Sequence, residues 1–574
     1  MIAKPIRRAR QLAADPVLRR WLVRRLIGAA PPPAFTPHRP PYLSNTPAPD
    51  SEKPNPPASF RPLQAPPPTA PIQLPLPALT LELRPGDERG LFDHAFADIE
   101  TLLALHRFAW LPLVADGRNK ESWLQALWVA WRGRFAQPTA DWAWHPYTAA
   151  ERVCNLLDFA AGRGLPGAVD DTVAVLARHV AAIFDRLEYF GEHNTANHLA
   201  NNGRGLYRLG LALNLPGATE AGAKILLNEA TRIFRPSGVL GEGSSHYHLL
   251  LARNYADAWL AARRHGRPEE PALAKIAGAA LAVAPSLALP GGLPLIGDVS
   301  PDCPPEFLAG LHDGDAGDGW TAGLDDGERA AVRALALNTA VPARDALAAD
   351  GWLRFDAGPW SGLWHVAPSG WPPMPGHAHQ DLGSFELHLE SVPVIVDPGR
   401  GRYGETGEAA LYSSGRVHNT LLVDNRDPYP ANKPYYDDSF RGSVVPEPPR
   451  LKAEGDAVSL THHGFRRLRG VGAHTRRWQL GNRVVAIEDR LAGRGRRRIS
   501  RRFATPLAAE VLPVGVLLKG GGKTLWLSAG NTASIRVSRI TLWRAYGDGR
   551  SGALIEFLEQ AHLPWSGRMT LEIS

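Results

Sequence analysis

Two stretches of the chain hold histidines and an aspartate at spacings that could bind a metal ion. In "GHAHQDLGSFELHLESVPVIVDPG", His377 and His379 lie two residues apart, and Asp397 follows a strand-like stretch. In "GRVHNTLLVD", His418 stands just before another apolar stretch. Two histidines and a carboxylate can fill three positions of a zinc site, with water or another group in the fourth. By spacing alone, the same side chains also fit ordinary surface or core residues.

Two further polar clusters each stand where a helix is expected to begin. "HNTANHLANN" carries Asn197 and His198, and "GEGSSHYHLLL" carries a run that includes Glu242, His246 and Tyr247. Amides in a cleft can bind a carboxylate, and histidine or tyrosine can transfer protons. Helix capping by asparagine or serine is the alternative reading of both clusters, although a run ending in His-Tyr-His exceeds what a cap requires.

The elements that must position these clusters change type along the chain. From about residue 79 to 345, apolar residues recur at helical spacing, as in "ESWLQALWVAWRGRF" and "HYHLLLARNYADAWLAARRH", with short Gly/Pro breaks between them. Successive helices with short connections predict a bundle or a toroid of helix pairs.

From 350 to 574 the apolar period changes to two. In "SFELHLESVPVIV", Phe385, Leu387 and Leu389 alternate with polar residues, and "KTLWLSAG" is similar. Many short strands with turns between them predict a β-sandwich. We therefore predict two domains in tandem, helical then β, with a ligand in the cleft between them.

The first 78 residues differ from both predicted domains. Residues 1–30 read as a basic amphipathic helix, with Trp21 and Leu22 among the apolar positions and arginines between them. Such a helix lies either on an anionic membrane surface or on its own protein. Residues 31–78 form a proline-rich linker or surface wrap, because residues 31–77 hold 18 of the 52 prolines.

Bulk composition excludes several classes of protein. The net charge is +7, but residues 1–40 contribute nine basic side chains against one acidic one, or +8, so the remainder is about neutral. The arginines accompany no nucleic-acid-binding motif, and we predict no nucleic-acid partner. Two cysteines, Cys154 and Cys303, form no redox or metal motif, and no apolar run is long enough to span a membrane.

Taken together, the motifs resemble the heparinase II/III-like polysaccharide lyases, the wider group that includes oligoalginate lyases. The resemblance rests on "GHAHQDLGSFELHLESVPVIVDPGRGRY", "GRVHNTLLVDNRDP", "NH" at 197–198 and "EGSSHYH" at 242–248, and it covers about residues 90–574. It implies an incomplete (α/α) toroid followed by an antiparallel β-sandwich. It also implies β-elimination on an acidic polysaccharide that contains uronic acid, such as a glycosaminoglycan or alginate.

The resemblance also implies roles for single residues. Asn197 would bind and neutralise the uronate carboxylate, because the intermediate is an enolate-like anion that needs preorganised donors. Tyr247 would be the general acid, and also the base for one stereochemistry. His198 and His377 are the candidate bases.

Metal and substrate contacts follow from the same resemblance. The implied zinc ligands are His379, Asp397 and His418, and that zinc would be mainly structural. The predicted substrate-binding residues are His246, Arg400, Arg402, Tyr403 and Arg416.

Two other functions compete with a lyase. A non-catalytic glycan-binding protein of the cell envelope would keep the fold but would tolerate loss of Tyr247 or His377. A hydrolase needs two carboxylates flanking the bond, and nothing pairs Glu242, Asp381 or Glu192.

The resemblance favours the cell envelope or periplasm as the location of the protein, and the lack of a clear export signal keeps the cytoplasm open.

Overall fold

The computed structural model describes residues 12, 16–29, 36–49, 53–57, 60–312, 319–374, 376–433, 436, 438–529 and 534–574. Within these ranges the chain forms a helical region followed by a region rich in antiparallel strands, as the sequence predicts. No helix in the described ranges has both the length and the apolar character needed to cross a lipid bilayer.

A short helix near the N-terminus precedes the helical domain. The helices are α1 (Pro16–Leu26), α2 (Ile99–Arg107), α3 (Arg118–Phe135), α4 (Pro146–Arg163), α5 (Val169–Phe184), α6 (His198–Leu213), α7 (Pro216–Ile233), α8 (Ser245–Arg264), α9 (Glu270–Leu287), α10 (Asp326–Asn338) and α11 (Arg344–Ala349). Short 3-10 helices cover Pro41–Leu43, Leu91–Asp93, Leu111–Leu113, Trp142–Trp144, Pro305–Leu311, Trp320–Gly323 and Gly464–Arg467. The first helix of the helical domain begins at Ile99. The helical pattern predicted from residue 79 is wrong for residues 79–83, which form the second strand of a β-hairpin.

Helices α6 and α7 lie in direct backbone contact, because both carry glycine where they cross. A Cβ on Gly210 of α6 would come within 2.5 Å of the Thr219 backbone nitrogen, and one on Gly222 of α7 within 2.5 Å of the Tyr207 backbone nitrogen. Asn197 and His198, at the start of α6, are therefore held by a rigid helix pair.

The proline-rich segment lies on the helical domain over its described length. We call residues 36–49, 53–57 and 60–71 the N-terminal strap. Leu43 and Leu63 of the strap are buried in the same core as the helices. The backbone N–H of Leu63 donates to the carbonyl of Leu165 at 2.8 Å. Of the two arrangements expected from sequence, linker or wrap, these residues form the wrap.

Three antiparallel sheets are present in the described ranges. A hairpin pairs β1 (Ile72–Leu76) with β2 (Leu79–Leu83). A four-stranded sheet has the order β3 (Trp352–Ala357), β4 (Trp360–His365), β5 (Phe385–Leu389) and β6 (Val392–Ile395). The large sheet contains β7 (Leu421–Val423), β8 (Arg450–Glu454), β9 (Ala457–His462), β10 (Val471–Leu480), β11 (Val484–Thr505), β12 (Ala508–Leu512), β13 (Gly515–Gly520), β14 (Lys523–Ser528), β15 (Ser534–Ala545) and β16 (Asp548–Ile573). Two short helices, α12 (Gly407–Tyr412) and α13 (Asp438–Val444), lie between strands of this domain.

The four-stranded and large sheets share one hydrophobic core. Phe385 of β5 contacts Trp478 of β10 and Phe503 of β11, with ring centroids 5.3 and 6.2 Å apart respectively. This face-to-face packing is that of a β-sandwich. Polar residues of β5 are buried as well as its apolar ones. His388, on the polar side, accepts a hydrogen bond from the backbone N–H of Gly291, which connects the helical domain to the sandwich.

Candidate active site

Backbone segments from both domains meet at Gly297, where the site is assembled. The N–H of His377 donates to the carbonyl of Glu242 at 2.8 Å, and the N–H of Asp298 donates to the carbonyl of His377 at 2.9 Å. Gly297 has a φ of +81°, and a Cβ there would lie 2.5 Å from the Gly243 carbonyl oxygen. Only glycine therefore allows the three segments to approach this closely.

Asn197 lies at the start of α6, but its side chain does not cap that helix. Its amide Nδ2 donates to Oε2 of Glu242 at 2.6 Å, and its backbone N–H donates to Oε1 of the same carboxylate at 2.8 Å. Both residues are buried. Glu242 therefore fixes the direction of the Asn197 amide, which points toward the sandwich.

His377 connects Asn197 to a buried aspartate. Nδ2 of Asn197 lies 3.2 Å from Nε2 of His377, and Nδ1 of His377 lies 3.1 Å from Oδ2 of Asp298. Because the amide nitrogen can only donate, Nε2 accepts and Nδ1 carries the proton. This tautomer leaves Nε2, beside Asn197, as the atom that can take up a proton.

Asp298 is the carboxylate on which several site residues converge. It also accepts hydrogen bonds from Nε2 of His379 at 2.9 Å and from Nη1 of Arg400 at 3.1 Å. Burial raises the pKa of Asp298, but the two histidines and the arginine outweigh burial and hold it well below its usual value. Asp298 is therefore a permanent anion that orients both histidine rings.

Tyr247 packs flat on His377. The two rings have centroids 3.4 Å apart and planes inclined by 11°. Tyr247 belongs to α8, whose first turn is capped by Ser244, and its hydroxyl contacts that of Tyr403 from the sandwich. Burial, together with the Asp302 carboxylate, raises the pKa of Tyr247 well above its usual value, so this phenol holds its proton at neutral pH.

His198 follows Asn197 and is half exposed. Its Nδ1 lies 2.7 Å from Oε1 of Glu188, and its ring packs against Tyr147. Desolvation lowers the pKa of His198, but the Glu188 carboxylate more than offsets this, so the net pKa lies above the usual value.

His379, Asp397 and His418 form a buried cluster in the sandwich. One ligand atom from each lies within 4.8 Å of the other two. Nδ1 of His418 is 2.9 Å from Oδ2 of Asp397. No other group of three such side chains in the described ranges meets this geometry.

The hydrogen bonds around this cluster fit a metal centre. Nε2 of His379 bonds to Asp298, and Nε2 of His418 bonds to the Tyr412 carbonyl at 2.8 Å. Both rings therefore turn Nδ1 toward the cluster, which is the arrangement that outer hydrogen bonds impose on metal-binding histidines. Nδ1 of His379 is buried with no hydrogen-bond partner. Burial lowers the pKa of His379, which favours a neutral ring there. At His418 the Asp397 carboxylate outweighs burial and raises the pKa to about 9, so metal binding would displace a proton from that ring.

The predicted substrate-binding residues occupy different environments. Tyr403 touches Tyr247, and Arg400 is part of the Asp298 network. Arg402 and Arg416 are exposed. His246 is fully buried on α8, where its Nδ1 accepts from the Ser300 N–H at 3.0 Å, so the structure does not place it at the cleft surface.

Sequence reasoning missed the two carboxylates that orient the histidines. Asp298 stands in "LIGDVS" and Glu188 in "RLEYF", with no motif around either. The sequence places Glu242 in the polar run before α8 and among the candidate hydrolase carboxylates, and the structure places it against Asn197. The Gly-Asp pair after an apolar stretch is the one local signal that could have drawn attention to Asp298.

Comparison with known proteins agrees with the order of the domains. Residues 339–552 match the family model described as "Heparinase II/III-like, C-terminal". No curated protein matches the sequence.

Solved structures share the fold over most of the chain. A crystal structure of heparinase III is 15% identical, with a TM-score of 0.61, and covers 84% of this chain and 78% of its own. A mutant of the heparan sulfate lyase HepC from Pedobacter heparinus is 16% identical, with a TM-score of 0.54 and the same coverage of 84% and 78%. These likenesses agree with the fold of an α/α toroid followed by an antiparallel β domain.

Proposed function

Because residues 339–552 form a heparinase II/III-like C-terminal domain, we propose that the protein is a polysaccharide lyase. The proposed reaction is β-elimination in an acidic polysaccharide that contains uronic acid. The contacts that join Asn197, His377 and Tyr247 where the two domains meet carry the proposal. These three side chains supply a carboxylate-binding amide, a base and an acid within a single contact network.

Asn197 recognises the uronate in this proposal. Its amide hydrogen now bonds Nε2 of His377, and a substrate carboxylate would compete for that hydrogen. Binding would therefore neutralise the carboxylate, acidify the C5 proton, and free Nε2 of His377 to accept a proton in the same step. Glu242 keeps the amide aimed at the cleft.

Proton transfer then needs one base and one acid. The base, His377 or His198, removes the C5 proton, and the electron pair forms the C4–C5 double bond as the C4–O bond breaks. Tyr247 donates its phenolic proton to the leaving oxygen. Its raised pKa keeps that proton in place at neutral pH until the leaving oxygen takes it. The products are an unsaturated uronate and a new chain end, so no water is consumed.

We also propose that His379, Asp397 and His418 hold Zn²⁺. The ion would fix three parts of the sandwich together and place a positive charge behind Asp298. Its role is to order the loop that carries His377, because His379 shares Asp298 with that residue.

The same geometry disfavours a hydrolase. Glycoside hydrolysis needs two carboxyl groups on opposite sides of the bond. Both oxygens of Glu242 are taken by Asn197, and Asp381 is buried beside the proposed metal ligands. Glu192 is exposed on the loop before α6.

The test is production of an unsaturated sugar by the full chain. Zinc-loaded protein is incubated with heparan sulfate, heparin, hyaluronan, chondroitin, alginate and glucuronan, and the ultraviolet absorbance of the conjugated double bond is followed. We expect absorbance with one class of polymer, and its loss in Tyr247→Phe. Tyr255→Phe is the matched control, because Tyr255 is also buried on α8 and its hydroxyl donates to the Leu226 carbonyl, away from the cleft.

Other outcomes would overturn the proposal. New reducing ends without absorbance would indicate a hydrolase. Tight binding of a polymer without cleavage would support the glycan-binding alternative. Absorbance that survives in Tyr247→Phe would remove Tyr247 from the acid role.

A further inference from the structure

Helix α1 is attached to the β-sandwich by one face. Trp21 is buried, with its ring centroid 4.9 Å from that of Tyr436 in an edge-on contact and 5.9 Å from that of Phe440. Nη1 of Arg24 donates to Oγ of Ser439 at 3.2 Å. These contacts orient the helix on the protein, so its opposite face has a fixed direction.

The opposite face of α1 carries an exposed apolar stripe. The exposed fractions are 55% for Val23, 76% for Leu26 and 71% for Ile27. Residues three and four apart share one side of a helix, and a step of two residues from Trp21 to Val23 crosses to the other side. The stripe therefore points away from the body of the protein. Valine, leucine and isoleucine side chains are usually buried in the protein core.

Exposed arginines precede this stripe. Arg19 and Arg20 lie four and three residues before Val23, on the same side of the helix, and both are exposed. The chain as a whole places its excess positive charge in the same region, since residues 1–40 carry nine basic side chains and one acidic one. An apolar stripe bordered by arginine matches a surface that is apolar below and anionic above, which is a membrane interface.

We propose that α1 is a peripheral membrane anchor for an anionic lipid surface. Val23, Leu26 and Ile27 enter the interface between headgroups and acyl chains, and Arg19 and Arg20 pair with lipid phosphates. Trp21 joins this anchor to the β-sandwich through Tyr436 and Phe440. The inference is independent of the proposed lyase activity, because it uses no residue of the cleft.

The experiment is flotation of the full chain with lipid vesicles. Vesicles of phosphatidylcholine alone are compared with vesicles that contain about one quarter phosphatidylglycerol. We expect binding to the anionic vesicles only, and weaker binding as salt is raised. Leu26→Asp with Ile27→Asp, and separately Arg19→Glu with Arg20→Glu, should each weaken binding about tenfold or more.

The matched control is an equally exposed apolar pair elsewhere. Leu337, on α10, is 76% exposed, and Val341, just after α10, is 61% exposed. Leu337→Asp with Val341→Asp should leave vesicle binding unchanged. All the substituted side chains are exposed, so circular dichroism should show the same folded protein in each variant.

Three results would overturn the inference. They are failure of the wild-type chain to float with anionic vesicles, equal binding to both kinds of vesicle, and binding that survives the stripe variant. Light scattering tests whether the stripe is covered by a second copy of the chain and not by a membrane. A wild-type dimer that Leu26→Asp with Ile27→Asp converts to a monomer, without any vesicle binding, would assign the stripe to self-association instead.

Discussion

The carboxylate of Asp298 and the imidazole of His377 are joined twice. Oδ2 of Asp298 lies 3.1 Å from Nδ1 of His377, and the Asp298 backbone N–H donates to the His377 carbonyl at 2.9 Å. The side-chain contact selects the tautomer whose Nε2 carries no proton, and the backbone contact sets the position of the ring. An aspartate that orients a histidine in this way supports proton transfer without itself reacting.

We therefore predict that Asp298→Asn lowers kcat by about a hundredfold or more, with a smaller change in KM. The amide nitrogen would donate toward Nδ1 and favour the wrong tautomer of His377. The measurement is the initial rate of unsaturated product at saturating substrate. Zinc content is determined in parallel, since Asp298 also contacts His379.

Asp350→Asn is the control for this variant. Asp350 accepts one hydrogen bond, from the Ser237 N–H at 2.8 Å, away from the cleft. An unchanged kcat in Asp298→Asn, with normal zinc content, would show that Asp298 has no part in proton transfer.

The sequence predicted the two domains and several of their elements, but not the contacts between those elements. Helical spacing predicted α6 and α8, and serine capping of α8 is confirmed at Ser244, whose hydroxyl accepts from the Tyr247 N–H. Alternation in "SFELHL" predicted β5, but its polar side is buried too, because Glu386 and His388 pair at 3.0 Å. Polar residues that are buried as a hydrogen-bonded pair give the same alternation in sequence as polar residues that face solvent.

Asp298 could not be predicted because its partners are distant in sequence. It is 79 residues from His377 and 81 from His379, and no helix or strand period relates them. Similarly, Asn197 looked like a helix cap, and only the fold shows its side chain turned to Glu242. Such roles follow from how two domains meet, which local patterns do not encode.

Glu188→Gln should move the pH dependence of kcat/KM if His198 is the base. His198 must be neutral to take a proton, so activity falls as pH drops through its pKa. The Glu188 carboxylate raises that pKa, and thus the acidic limb lies at a higher pH than for an ordinary histidine. Removing the charge should shift this limb to lower pH by about one unit.

The matched variant is Glu192→Gln, an exposed carboxylate a few residues further on the same connection. It should leave the acidic limb in place. If the limb is also unmoved in Glu188→Gln, the base is His377 and not His198.

Loss of one metal ligand should remove bound zinc. We expect about one zinc per wild-type chain, and much less in His379→Ala or His418→Ala, because each removes one of three protein ligands. A chelator should lower the Tm of the wild-type protein by a few degrees and have little effect on the variants. His562→Ala, at an exposed histidine, is the control. Wild-type protein that retains no zinc after dialysis would contradict the proposed centre.

The N-terminal strap should support the turn that carries Asn197. The Tyr42 hydroxyl donates to Oε1 of Glu229 at 2.8 Å, and Oε2 of Glu229 binds Arg232, whose guanidinium donates to the carbonyls of Thr195 and Ala196. Those carbonyls immediately precede Asn197. Tyr42→Phe removes one hydrogen bond from a buried carboxylate, which should lower the free energy of unfolding by about 1–3 kcal/mol.

Loosening that turn should also weaken substrate positioning, so kcat/KM in Tyr42→Phe should fall about threefold to tenfold. Tyr207→Phe provides the control, because Tyr207 likewise donates to a glutamate, Glu269, at 2.7 Å, but away from the Asn197 turn. Tyr207→Phe should cost similar stability without the loss in kcat/KM. Equal kinetic losses in the two variants would mean that the effect of Tyr42 is one of general stability, since only Tyr42 is connected to the cleft through Glu229 and Arg232.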